Sequence, residues 1–400
     1  MANNNKMAVT FHLTHACNLR CSYCYTGEKI HVGMSPDTAE EAIQFTLREA
    51  KLTNVTVIDI IFFGGEPLLK RSLLYSIVDR FNELLASDSA MKATYKLSTN
   101  GILLKKDVMV ELANRKIYVS VSLDGAPEVH DAHRVGLRGE PTSQQLQHLI
   151  PEWLEWNPCM NVTCVVIPST ASKLDESVDW LVAQGFHYVT VTLDYSADWS
   201  SQDFKQLEKA LKRLATIYER WHLKNKKVFV SCLDVKIQSH TRINMAACRC
   251  SFGISEFSIS PSGRLYPCVQ FVQEDDTNDY VIGSIQDGFD ADKRAYLKQQ
   301  SQLDKSECTG CAIVDRCSKW CTCINYASTG TLTQASPVLC EYERIAVPIA
   351  DKLAHRLWKK RNHTFIHKQY NPSFPILNFI ENLVLEDASD ATYETTKIDR

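Results

Sequence analysis

The sequence has no apolar run long enough to span a bilayer. Its polar start, Met1 to Met7, has no apolar core behind it to mark a signal peptide. A cytoplasmic location is the expectation. Charge of one sign is also missing: 44 Lys and Arg stand against 47 Asp and Glu, a net charge of −3. That excludes a strongly basic nucleic-acid binder as the default, and neither nucleic acid nor membrane is an expected partner. Sequence repeats and low-complexity linkers are absent. What is left is a chain of 400 residues, 23% charged and 44% hydrophobic, as in a globular protein of two or three domains.

Cysteine is the residue in excess. There are 15, an odd number, which argues against a fully paired disulfide framework. Cys17, Cys21 and Cys24 lie together near the start. Cys159, Cys164 and Cys232 are scattered and read as small buried hydrophobes. The remainder gather from Cys248 to Cys323, with Cys340 beyond. Clustered cysteines in a reducing compartment point to metal ligands.

Between residues 8 and 222 strand and helix signals alternate. Strands are expected at Val9–Leu13, Val55–Phe63, Ala93–Ser98, Ile117–Leu123, Asn161–Ile167 and His187–Leu193. Helices are expected at Pro36–Glu49, Leu68–Ala86, Lys105–Asn114, Ser143–Glu155, Ser172–Gln184 and Ser201–His222. Ser35 fits an N-cap with Pro36 in the first turn. Right-handed crossovers wind such units into one parallel sheet, and strands this apolar need cover. Six units are too few for a closed eight-stranded barrel, so the α/β fold expected is a partial (β/α)6 barrel. The domains read as 1–235 for the barrel, 236–345 for a small cysteine-rich domain, and 346–400 for a C-terminal helix and polar tail.

The first cysteines have the spacing C-x3-C-x2-C on the loop after the first strand. Three thiolates on one tight loop can hold three irons of a [4Fe–4S] cube and leave the fourth open to a small molecule. His15 is close enough to make a structural zinc site the competing reading. In this motif, with aromatic Tyr23 before the third cysteine, the chain resembles the radical S-adenosylmethionine (SAM) superfamily. The resemblance implies a partial barrel, SAM chelated on the open iron, and reductive cleavage to a 5′-deoxyadenosyl radical that abstracts hydrogen from substrate.

Further stretches are similar to the same family. Gly64-Gly65-Glu66-Pro67 ends the second strand, where the family meets the methionyl amino group; glycines permit close backbone approach and an acid suits an ammonium. Ser98-Thr99-Asn100-Gly101 ends the third strand. Ser120 to Gly125, followed by His130-Asp131-Ala132-His133-Arg134, resembles sulfatase maturases and related peptide maturases. The resemblance carries SAM contacts to Ser98, Ser122 and Arg134, with Arg134 on the SAM carboxylate.

The late cysteines resemble the seven-cysteine SPASM extension: Cys250, Gly263, Cys268, then Cys308-x2-Cys311-x5-Cys317-x3-Cys321, a gap, and Cys340. It implies two auxiliary [4Fe–4S] clusters. Cys308, Cys311, Cys317 and Cys340 would hold the outer one, and Cys250, Cys268 and Cys321 the inner one. Cys248, Cys323 or an open site completes the inner set.

Enzymes of this kind mostly modify ribosomally made peptides or proteins. The expectation is a peptide maturase installing a cross-link or other modification. The alternative is an anaerobic sulfatase maturase, oxidising Cys or Ser to formylglycine; a non-catalytic electron-transfer protein is the third reading. Sulfatase maturases place an aspartate base after the second SPASM cysteine, whereas Cys268 is followed by Val269, which cannot accept a proton. Asp194, Tyr195 and Asp124 fall at strand ends near the mouth. Expected partners are a precursor peptide and an electron donor such as flavodoxin or ferredoxin. The barrel starts within ten residues of Met1, which leaves no room for a leader-binding module before it; the barrel mouth, the C-terminal helix or a separate leader-binding protein are the alternatives for reading a leader.

Overall fold

The computed structural model describes residues 6–88, 90–241, 251–275 and 279–370. Strands are β1 Lys6–His12, β2 Leu19–Cys21, β3 Val57–Phe63, β4 Lys92–Thr99, β5 Ile117–Ser122, β6 Arg134–Gly136 and β7 Asn161–Val166. They continue with β8 Tyr188–Leu193, β9 Phe229–Val230, β10 Glu256–Ile259, β11 Leu265–Tyr266, β12 Gly283–Ser284 and β13 Gly288–Phe289. Helices are α1 Pro36–Leu52, α2 Arg71–Leu85, α3 Lys106–Asn114, α4 Pro127–His130, α5 Ser143–Trp156 and α6 Leu174–Ala183. After them come α7 Ser201–Leu223, α8 Ser231–Thr241, α9 Ala291–Gln302, α10 Thr322–Thr329, α11 Pro337–Lys359 and α12 His363–Tyr370. No helix among the described residues is long and apolar enough to cross a membrane.

The sheet runs in the order β11-β10-β1-β3-β4-β5-β7-β8-β9. The six expected strands pair in parallel and in chain order, as consecutive strand–helix units require. The architecture is the expected mixed α/β, barrel-like fold. Three added strands were not legible in the sequence. β9 extends one edge in parallel, and β10 lies parallel to β1 at the other, followed by antiparallel β11. The cysteine-rich region therefore begins as part of the same sheet.

Alternation along each strand separates two faces. Phe11, Phe62, Tyr95, Leu97, Val121 and Val191 are buried. Phe11 meets Phe81 of α2 edge-on at 6.0 Å, and the Tyr95 hydroxyl donates to Asn82 of α2 at 2.8 Å, so this face is the helix-covered core. The opposite face is polar. Asn161 Nδ2 donates to Ser120 Oγ at 2.7 Å, Thr190 Oγ1 donates to Asn161 Oδ1 at 2.9 Å, and Ser120 and Thr163 hydroxyls meet at 3.2 Å. Ser98 and Ser122 stand on this face, half-buried.

Helix ends follow local chemistry. The Ser35 side chain accepts the Thr38 N–H at the start of α1, as its sequence position predicts. Ser200 and Asp203 form a reciprocal capping box on α7. The expected helix from Leu68 starts instead as a 3-10 turn, Pro67–Lys70, because Glu66 caps it and Pro67 lacks an N–H to continue a longer ladder backwards.

Candidate functional site

The cysteine loop is anchored before any metal is considered. β2, which ends at Cys21, pairs antiparallel with β6, placing Cys21 opposite Arg134. On the other side the loop rests on the end of β3. The Gly65 N–H donates to Thr14 O at 2.7 Å, and the Glu66 N–H to Ala16 O at 2.9 Å. A Cβ on Gly65 would sit 2.2 Å from Ala16 O, and one on Gly64, at φ +138°, 2.4 Å from Thr14 O. The glycines are thus needed for contact with the cysteine loop itself.

Each sulfur of the triplet has a donor near it. Leu19 N–H and Asn100 Nδ2 approach Cys17 Sγ at 3.4 and 3.8 Å; Arg134 Nη1 approaches Cys21 at 3.9 Å; Lys29 Nζ reaches Cys24 at 3.1 Å. Burial pushes the Cys17 thiol up to about 11 and also raises Cys21, against the pull of Arg134. Burial would raise Cys24 as well, but the Thr26 hydrogen bond and the Lys29 ammonium bring it below its ordinary value. Donors aimed at sulfur suit thiolates bound to iron, where outer hydrogen bonds tune the cluster. The donor set therefore fits a cubane. A single ion is less well served: among the described residues no three Cys, His, Asp or Glu side chains close on one point. His15, the fourth zinc ligand considered from sequence, lies instead against His12, ring centroids 4.7 Å apart. Neither ring makes a hydrogen bond among the described residues.

Glu66 is fully buried, and both its oxygens have partners. Oε1 accepts from Leu68 N–H at 3.0 Å and Thr99 Oγ1 at 2.8 Å, and Oε2 accepts from Asn100 N–H at 2.8 Å. Burial pushes its carboxyl up to about 7 against these three bonds. It ties the end of β3 to the end of β4, and Asn100 carries the link on to Asn18 at 2.8 Å.

Arg134 is buried in a second network. Its Nε donates to Asp124 Oδ2 at 3.0 Å, and its guanidinium lies 5.2 Å from the Tyr23 ring centroid. The Tyr23 hydroxyl donates to the same Asp124 oxygen, and the Val165 N–H donates to Oδ1 at 3.0 Å. The motif around Arg134 is built in. Asp131 accepts Thr142 and Ser143 N–H groups at 2.8 and 2.9 Å, and His133 bridges Ser22 and Ser169. Tyr23, Arg134 and the glycine motif thus meet round the cysteine loop, whereas Ser98 and Ser122 line the polar sheet face beside it. Asp124 was read from sequence only as a strand-end acid; Lys29 gave no sequence signal at all.

The late cysteines form two groups. Cys340 lies within electrostatic reach of Cys308 and Cys311, and Cys317 within reach of Cys340. Cys323 lies within electrostatic reach of Cys268 and Cys321. Cys248 and Cys250 lie outside the described residues. Tyr25, stacked on Phe63 at 6.1 Å, lies within reach of both Cys24 and the pair Cys268 and Cys323. Tyr195 at the end of β8 similarly lies near Cys321 and Cys317.

Comparison with known proteins agrees with this geometry. The radical SAM superfamily model matches residues 11–149. That segment carries a radical SAM domain. An uncharacterized protein of Methanocaldococcus jannaschii is 32% identical over 181 residues, 45% of this chain and 60% of that protein. The cysteine-type anaerobic sulfatase-maturating enzyme of Clostridium perfringens is 23% identical over 330 residues, 76% of this chain and 85% of that enzyme. Among solved structures, native anSMEcpe with bound AdoMet and Kp18Cys peptide matches with TM-score 0.72 and 20% identity, over 88% of this chain and 99% of that one. Streptococcus suis SuiB bound to precursor peptide SuiA matches with TM-score 0.57 and 16% identity, over 84% and 76%. These structural likenesses are of fold.

Proposed function

We propose that the chain is a SPASM-type radical SAM maturase that modifies a residue of a ribosomally made peptide. The observation behind this is the first cysteine triplet, with a donor for each sulfur, and beside it Tyr25, which lies within electrostatic reach of Cys24, Cys268 and Cys323. Bound to Cys17, Cys21 and Cys24, a [4Fe–4S] cluster with SAM would supply the 5′-deoxyadenosyl radical that removes hydrogen from the peptide. The chain's own residues position and insulate that site. Gly64 and Gly65 seat the loop, Glu66 fixes two strand ends, and Asp124 holds Arg134 and Tyr23 beside Cys21. The hydroxyl-lined sheet face, with Ser98, Ser120, Ser122 and Thr163, is the surface available to SAM and to an extended peptide. Auxiliary clusters held by Cys308, Cys311, Cys317 and Cys340, and by an inner set containing Cys250, Cys268 and Cys321, would carry away an electron released from substrate. A low-potential donor such as flavodoxin or ferredoxin would supply the first one.

A second reading, sulfatase maturation, is favoured by the fold likeness to anSMEcpe. Against it stands Val269, where an aspartate base would be needed to deprotonate the substrate Cys or Ser. The test is anaerobic co-expression with the short peptide encoded beside the gene, followed by high-resolution mass measurement, with Cys17→Ala as control. A mass change only with intact Cys17 is expected. An unchanged peptide, together with formylglycine in a sulfatase-derived peptide, would replace this reading by the second. Failure to cleave SAM under strong reductant would refute both.

A further inference from the structure

An apolar groove lies beside the segment that enters the first cysteine loop. Its volume is about 660 Å³, and Met34, Leu68, Leu69, Leu73 and Leu103 line it. Leu69 is 44% exposed, and Val32, two residues before Met34, is 47% exposed. Apolar side chains scattered singly over a surface need no explanation, but a set gathered in one concavity marks an interaction site.

Each wall of the groove touches the cysteine loop or the chain leading into it. Val32 to Met34 runs antiparallel to Leu13 to His15: the His15 N–H donates to Val32 O and the Met34 N–H to Leu13 O, both at 2.9 Å. Leu68 to Leu73 follows Glu66, whose N–H donates to Ala16 O. Leu103 follows Asn100, whose Nδ2 approaches Cys17 Sγ at 3.8 Å. The walls are also joined to one another. The Lys70 stem lies on Gly33, where a Cβ would come 2.5 Å from Lys70 Cε, and Arg71 Nη1 stands 3.9 Å from Asp107 Oδ2.

The rim is basic although the whole chain carries a net charge of −3. Lys70, Arg71, Lys105 and Lys106 are all exposed there, against Asp37 and Asp107. Arg71 and Asp107 pair only loosely, in solvent, and Lys70, Lys105 and Lys106 have no acidic partner among the described residues. The starts of α2 and α3 add the positive ends of two helix dipoles. Such a rim attracts and orients an acidic protein.

We propose that this groove is the docking surface for a small, acidic electron-carrier protein that reduces the cluster at Cys17, Cys21 and Cys24. The inference rests on the proposed reading that this triplet holds a [4Fe–4S] cluster, and it adds the place where the electron enters. The carrier is oxidised by one electron and the cluster reduced by one; no covalent bond forms between the two proteins. The groove opens at the start of α2, which covers the apolar side of the sheet, so a seated carrier leaves the hydroxyl-lined face free for a peptide.

Flavodoxin is the probe. Its flavin fluorescence anisotropy is followed as the full chain is added, at low and at high salt. Lys70→Glu/Lys105→Glu/Lys106→Glu should weaken binding about tenfold or more at low salt and flatten the salt dependence. Leu69→Ser should weaken it about fivefold at both. In the reconstituted chain, flavodoxin-driven formation of 5′-deoxyadenosine should slow about tenfold in the triple variant at matched iron content. The dithionite-driven rate should stay, because a small reductant needs no docking surface. Equal flavodoxin binding by the triple variant and the unaltered chain, or binding by neither, would overturn the assignment alone. So would a loss of peptide modification that persists with dithionite, which would make the groove the peptide's site, or a dimer that the variant turns into monomers, which would make it an interface between copies. A reconstituted chain that binds flavodoxin but holds no iron at the first triplet would overturn the cluster reading, and the entry of an electron here with it.

Discussion

The ion pair between Asp124 and Arg134 should be the most sensitive polar contact in the barrel. The two side chains are 3% and 8% exposed and meet at 3.0 Å. Asp124 also takes the Tyr23 hydroxyl and the Val165 N–H, so one carboxylate joins β6, β7 and the cysteine loop. Asp124→Asn keeps the shape and removes the charge, leaving a buried guanidinium without its counterion. Breaking a buried pair in this way costs about 3–5 kcal/mol. For a unit of this size that lowers the melting midpoint by roughly 10 °C. Arg134→Met should cost a similar amount, because it strands the carboxylate. The double variant removes both charges and should cost little more than either single one. The assay is anaerobic urea unfolding of all four proteins at matched iron content, followed by circular dichroism. A coupling energy of about 2 kcal/mol or more is expected. If the single losses simply add, within about 0.5 kcal/mol, the two groups do not act as a buried pair and the reasoning is wrong.

Other parts of the site make separate predictions. Gly65→Ala places a methyl 2.2 Å from Ala16 O, so iron bound at the first triplet should fall sharply while any iron held by the late cysteines stays; unchanged total iron would show that the loop tolerates the shift. Lys29→Met removes a charged donor from Cys24; one such bond, about 1.5 kcal/mol, corresponds to roughly 60 mV, and the potential of the first cluster should become more negative in a spectroelectrochemical titration. Burial, with the Arg134 charge second, lowers His130 to about 4, so the folded chain prefers the neutral ring. The unfolded ring protonates below about 6.5, so stability is undiminished above that pH. It falls by roughly 3 kcal/mol as the pH drops from there through about 4. His130→Gln should flatten that part of the pH–stability curve, and parallel curves for the two proteins would contradict the burial argument.

How much of this was legible depends on whether the signal was local. The six parallel strands were visible because each is a short apolar run ending at a glycine or polar turn, and their order followed from chain order alone. The cysteine positions were visible because ligand spacing is written along one loop. Strands β9 to β11 were missed because two to four residues give no periodicity; only pairing to a distant neighbour makes them strands. The same holds for side-chain roles. The Gly64–Pro67 motif could be recognised, but not that its glycines meet Thr14 and Ala16, or that Glu66 is enclosed by Thr99 and Asn100. Arg134 could be picked out as a candidate SAM contact, but its pairing with Asp124 is set by the β2–β6 register and by packing against β7.

The adjacency of the two cysteine regions follows from one strand pairing. β1 leads into the first cysteine loop, and β10 opens the hairpin that leads to Cys268; the two are hydrogen-bonded side by side, Ala8 opposite Glu256 and Phe11 opposite Ile259. Phe45 of α1 meets Phe257 and Phe289 edge-on at 6.0 and 5.4 Å, which fixes the cysteine-rich region against the barrel's first helix. Glu274 closes the same gap from the other side by accepting the Glu28 N–H at 3.1 Å. A region attached only by a linker could swing; one that shares a sheet cannot move its thiols relative to the first loop without breaking that ladder. Electron transfer between fixed metal sites depends on their separation being fixed. The shared sheet is therefore as much a part of the proposed chemistry as the cysteines are, and a register shift between β1 and β10 should disable it with every cysteine still in place.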